Sequence, residues 1–161
     1  MSRIDHEIRV TPSVLDRLID LEPRHSEEAP KSRSTSLHEL KQSVRRDLEW
    51  LLNTRCHIDA IDDKLEETPN SVAFYGLPDF TGVSVKSHIE QKRMTRAIED
   101  AIRRFEPRFI NLKVFMDPLE NVDRQLRFRI EATLDTEPAP EPIVFDSVLN
   151  SGGGGFEVVE L

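Results

Sequence analysis

A proline just past the end of a strong helical pattern constrains this chain more than any other feature. Between Val85 and Phe105, residues Val85, Ile89, Ala97, Ile98, Ala101, Ile102 and Phe105 recur at helical spacing, with Met94 near the margin. Pro107 has no N–H and crowds its predecessor, which pushes Glu106 out of helical geometry. The helix is therefore expected to stop at about Phe105 and the chain to leave extended. Residues two apart in an extended segment share a face. Glu106 and Arg108 then point the same way, and Phe109 points the other. An acid and a base fixed together at a helix-to-strand corner are either a local ion pair or a docking point.

Beyond the corner, strand patterns dominate. Ile110, Leu112, Val114 and Met116 alternate with Asn111, Lys113 and Phe115. Asp117-Pro118-Leu119-Glu120-Asn121 is a turn by composition. Leu126, Phe128, Ile130, Ala132 and Leu134 then alternate with Arg127, Arg129, Glu131 and Thr133, the cleanest period-two pattern in the chain. Such alternation marks an antiparallel sheet with one buried and one solvated face. A proline-rich connector spans Glu137 to Pro142, Ile143, Val144 and Phe145 restart a strand, and Phe156, Val158 and Val159 form a short last one. Gly152 to Gly155 read as a loose loop.

The helices come first in the chain. Thr11 is a candidate N-cap with Pro12 at the first helical position, and Val14, Leu15, Leu18 and Ile19 make a short apolar stripe that Pro23 closes. Glu22 to Ser36 is a polar linker. Ser36 and Glu39 have capping-box spacing ahead of Leu37, Leu40, Val44, Leu48, Leu51 and Leu52, a single buried stripe, with Asn53 and Thr54 as end signals. Arg45, Arg46, Asp47 and Glu49 fall on its other faces, and Trp50 at its edge. Ser71 to Phe80 is too apolar for a free loop and reads as a segment packed on the core. Ser84 is the candidate cap of the second long helix. Helices followed by a strand meander predict an α+β fold of two layers, with helices packed on one face of a small antiparallel β-sheet. The expected division is a short helix and linker over residues 1–36 and a single domain over 37–161.

Composition narrows the function. The formal net charge is −8, which argues against nucleic acid or an anionic membrane as the main partner. The charge is uneven, because Lys86 to Arg108 holds seven basic against four acidic residues. That stretch is either a solvated helix face or a docking face for an acidic partner. The lone Cys56 excludes an intramolecular disulfide framework and fits a reducing compartment. The amino terminus lacks a signal-peptide h-region, and no apolar run is long enough for a membrane span, so a soluble cytoplasmic protein is expected.

No catalytic constellation stands out. With 30 acidic residues, some carboxylate pair could fall at glycosidase spacing by chance, so such pairs identify nothing. Cys56 and His57 are neighbours and face opposite ways in an extended segment, so with Asp59, Asp62 and Asp63 they make a poor metal set. His6, His25, His38 and His88 sit in no motif, and the glycine run lacks the following Lys-Ser/Thr of a phosphate cradle. No enzyme, metal or cofactor is expected.

Four blocks carry a resemblance. They are Val44 to Arg55, Ser71 to Asp79, Ile102 to Arg108, and Phe145-Asp-Ser with Phe156-Glu-Val. In this order they resemble the TssE family of type VI secretion baseplate subunits, related to the phage-tail baseplate wedge protein of the "lysozyme-like" family. The resemblance implies a non-catalytic cytoplasmic baseplate protein that joins TssF and TssG in wedges and starts the contractile TssB–TssC sheath. TssK and the spike-hub protein VgrG are further implied partners, and the implied fold is similar to the sheath handshake. It also implies a partner interface at the Glu-Pro-Arg motif, here Glu106, Pro107 and Arg108. The competing readings are a peptidoglycan-cleaving glycosidase and a small regulatory binding module on the same fold.

Overall fold

A computed structural model describes residues 10, 12–19, 23–24, 32–56, 65–80, 87–117, 125–150 and 155–161. Its elements in chain order are α1 (Val14–Leu18), α2 (Arg33–Asn53), two short 3-10 turns (Thr68–Asn70 and Val72–Phe74), α3 (His88–Phe105) and four strands. The strands are β1 (Phe109–Met116), β2 (Gln125–Leu134), β3 (Glu141–Asn150) and β4 (Phe156–Glu160). They form an antiparallel meander in the order β1-β2-β3-β4. Helix α3 lies against β1 and α2 against β4, both on one face of the sheet. This is the two-layer α+β arrangement that the patterns predict.

The core is the seam between the layers. Leu40, Val44, Leu48, Leu51 and Leu52 of α2 meet Met94, Ile98, Ala101 and Ile102 of α3 above Val114, Phe128, Ile130, Phe145 and Val158 of the sheet. Each fully buried side chain of this size contributes about 1.5–3 kcal/mol by leaving water. The Ser71–Phe80 segment packs as expected, with Leu77 buried and Tyr75 and Phe80 against the core. Gly76 lets it approach, because its φ is 114° and a Cβ there would stand 2.4 Å from the Thr54 carbonyl oxygen.

Several expectations need correction. Ser13, not Thr11, caps α1, so Pro12 lies outside the helix, which ends at Leu18 well before Pro23. Val14, Leu15, Leu18 and Ile19 stay exposed, because a single helical turn has no groove in which to bury them. Helix α2 begins at Arg33 under a Ser32 cap, so Ser36 is already inside it. There the Ser36 hydroxyl donates to the Ser32 carbonyl at 3.1 Å instead of capping. Ser87 occupies the N-cap position of α3, and Ser84 and Val85 fall outside the described residues. Ile89, in the first turn, points away from the sheet and is 79% exposed, whereas Met94 is buried at 2%.

The alternation in β1 is broken. Ile110 faces out, while Phe109 packs inward beside Leu112 and Val114. Between Ile110 and Lys113 two residues of β1, Asn111 and Leu112, face the single Ala132 of β2, a bulge at which Asn111 adopts φ 55°. The bulge adds one residue and reverses the phase of the strand before it. The Asp117–Asn121 turn and the Gly152–Gly154 part of the glycine run lie largely outside the described residues. Gly155, however, is fixed, since a Cβ there would lie 2.1 Å from the Asn53 side-chain oxygen.

Candidate functional site

The corner forms where the sequence places it. Helix α3 ends at Phe105, and the Glu106 N–H closes its last turn on the Ile102 carbonyl at 2.8 Å. Glu106 and Arg108 do share a face. The Arg108 Nε donates to Glu106 Oε1 at 2.6 Å and its Nη2 to Oε2 at 2.5 Å, a two-pronged pair. The Arg108 N–H also donates to Oε1 at 3.2 Å.

The pair is largely buried. Glu106 is buried at 4% exposure, and only 23% of the Arg108 side chain reaches solvent. Helix α2 closes over them. Arg108 Nη2 donates to Asp47 Oδ2 at 2.7 Å, and Nη1 to Ser43 Oγ at 3.3 Å. Asp47 in turn accepts from Arg46 Nη2 at 2.8 Å, and the same nitrogen reaches Asp16 of α1 at 2.9 Å. Ser43 is the hinge of the network: its hydroxyl donates to Asp16 Oδ2 at 2.6 Å and accepts from both arginines. Charges thus alternate in sign from Glu106 through Arg108, Asp47 and Arg46 to Asp16, tying α1, α2 and the corner together.

Electrostatics follow from that alternation. Burial works against the Arg108 charge, but the hydrogen bonds and field of Glu106 and then Asp47 outweigh it and raise its pKa. Arg46 is shifted the same way, against the cost of burial, by Asp47 and Asp16. Burial pushes the Asp16 carboxyl up, yet hydrogen bonds from Ser13, Ser43 and Arg46 prevail and hold it at about 2. Tyr75 is pushed up by burial and then by the nearby Asp47 and Glu106 charges.

An open groove of about 510 Å³ runs beside the network. Leu15, Trp50, Tyr75, Phe105 and Pro107 give it apolar walls, and Asp47, Glu106 and Arg108 form its polar side. Tyr75 and Phe105 meet edge-on at 5.3 Å between ring centroids. Trp50 lies under the Arg46 guanidinium, 5.0 Å from carbon to ring centroid.

Comparison with known families decides the identity of this fold. The family described as baseplate wedge protein gp25 matches residues 38–139. The chain belongs to that family. No curated protein matches it. Membership assigns the chain a structural role in a baseplate and implies contact with other baseplate components. The gp25 match takes in Ser43, Arg46, Asp47, Glu106, Pro107 and Arg108, and leaves Asp16, β3 and β4 outside.

Of the three motif residues, the structure brings Glu106 and Arg108 together and leaves Pro107 exposed on the groove. The sequence reading missed Ser43, Asp47 and their links to Arg46 and Asp16. A signal existed in the spacing: Ser43 and Asp47 lie four apart and border the leucine stripe at Val44 and Leu48. Cys56 has its N–H on the Leu77 carbonyl at 2.8 Å, while His57, Asp59, Asp62 and Asp63 lie outside the described residues. Among the described residues no helix is long and apolar enough to cross a membrane.

Proposed function

We propose that this protein is a cytoplasmic, non-catalytic subunit of a type VI secretion baseplate. It joins TssF and TssG in the wedge and initiates polymerisation of the TssB–TssC sheath, with TssK and VgrG as neighbours in the assembly. The observation that carries this reading is the gp25 family match across α2, α3 and the corner. The Glu106-Pro107-Arg108 motif forms its wedge interface. In support, Pro107 and Trp50 are exposed at a groove whose floor is held rigid by the Arg108 network. A rigid, partly apolar concavity suits the central contact of a protein interface.

Co-purification with TssF and TssG, together with sheath assembly in cells, tests the assignment. Arg108→Glu places a third carboxylate beside Glu106 and Asp47, so its folding is checked first by thermal melting. Pro107→Asp alters the exposed residue without breaking the network. Loss of TssF–TssG capture by folded Pro107→Asp is expected. If both variants are folded, bind normally and still support sheaths, the corner is not the interface. Clear peptidoglycan hydrolysis by the purified protein would overturn the non-catalytic reading.

A further inference from the structure

The outer face of α3 has a charge pattern that the corner does not use. Five cations project from it: Lys92, Arg93, Arg96, Arg103 and Arg104. Two are matched within the helix, Arg93 to Glu90 at 3.7 Å and Arg103 to Glu99 and Asp100. Lys92, Arg96 and Arg104 are exposed and meet no acidic partner among the described residues. At 100° per residue they fall within about a third of the helix circumference, and at 1.5 Å per residue they span roughly 18 Å. Ile89 lies in the same arc one turn before Lys92, its side chain 79% exposed.

This concentration of positive charge is unexpected on a chain of net charge −8. Solubility does not call for it, because the acidic excess already supplies that. Helix α2 shows the contrast. Its Lys41 pairs with Glu160 at 3.1 Å, and its Arg46 is consumed by Asp47 and Asp16. Cations that meet no acidic partner among the described residues, aligned along one helix with an apolar residue at one end, form a complementary surface for an acidic chain.

We infer that the Lys92–Arg96–Arg104 face of α3 docks an acidic helical segment of a partner protein, with an apolar side chain of that segment seated on Ile89. An acidic protein fits better than nucleic acid. Three cations on an otherwise acidic molecule give little phosphate affinity, and an exposed isoleucine contributes nothing to a phosphate backbone. The surface is distinct from the corner groove, so it does not depend on how the groove is used.

The test uses the full chain and two synthetic glutamate-rich helical peptides of equal charge, one with a terminal leucine and one with alanine. Fluorescence anisotropy is expected to show salt-sensitive binding, tighter by about fivefold for the leucine peptide, in keeping with the burial of one apolar side chain. The triple variant Lys92→Glu/Arg96→Glu/Arg104→Glu is expected to weaken binding by about tenfold or more at an unchanged melting temperature. Ile89→Ser is expected to remove the preference for leucine. Equal binding by the wild type and the triple variant overturns the proposal, as does absence of binding to either peptide. Tighter binding to duplex DNA or to phosphatidylserine vesicles than to the peptides overturns the assignment of a protein partner.

Discussion

Two of the polar contacts that helix α2 makes with the rest of the fold work by different physics. Midway along, Ser43 and Asp47 engage the charged corner through Arg108. At the C-terminal end, Asn53 engages β4 with a neutral amide. Its Nδ2 donates to the Phe156 carbonyl at 2.9 Å, and its Oδ1 accepts the Phe156 N–H at 2.7 Å. That side chain imitates a strand neighbour, and the close approach requires Gly155. The neutral contact depends on fit alone. The charged one also depends on every partner remaining ionised, because each buried charge is tolerable only while matched. The same helix is thus held at one point by shape and at another by charge balance, and the two should fail differently.

The largest effect is expected at the charged contact. Arg108→Ala strands Glu106 in a buried position and should cost about 3 kcal/mol, measured by urea unfolding. A loss under 1 kcal/mol would mean that Glu106 gains water readily. Next comes the neutral contact. Asn53→Ala leaves the Phe156 N–H and carbonyl to find other partners and should cost about 1–2 kcal/mol, by the same measurement. Combined with Arg108→Ala, the losses should add to within about 0.5 kcal/mol if the fastenings are independent.

Acid separates the two contacts more sharply. The Asp16 carboxyl titrates at about 2 in the folded protein against an ordinary value of 3.8. A carboxylate whose folded pKa is depressed adds stability above the unfolded value and loses it as pH falls through the folded one. Between about pH 4 and pH 2 the wild type should therefore lose about 1–2 kcal/mol more than Asp16→Asn. Asn53→Ala should follow the wild-type pH profile. The smallest effect is expected at Trp50, whose exposed ring stacks on Arg46. Trp50→Ala should cost only about 0.5–1 kcal/mol in stability.

Much of this was legible in the residues. Period-two and helical spacing located α2, α3 and the sheet, and Pro107 marked the end of α3 to the residue. The shared face of Glu106 and Arg108 was legible, while the spacing left open whether they pair, as they do here, or await a partner. The burial of that pair was not legible, because it depends on which side of α2 packs over the corner, a tertiary choice that spacing leaves open. Ser43 was hidden for the same reason, since a serine beside a leucine stripe is as compatible with solvent as with a buried hinge. The faces of Ile89 and Ile110 were misread where local geometry, a first turn and a bulge, overrode periodicity.

The Asn111 bulge has a consequence for alignment. A slip of β1 by one residue along β2 would move the positive-φ position onto Ile110 or Leu112, whose side chains resist that backbone region, and would turn Phe109 out of the core. The strand therefore has one admissible setting. Because Arg108 immediately precedes Phe109, its position is indexed from the sheet as well as from α3, and the corner cannot drift without undoing both.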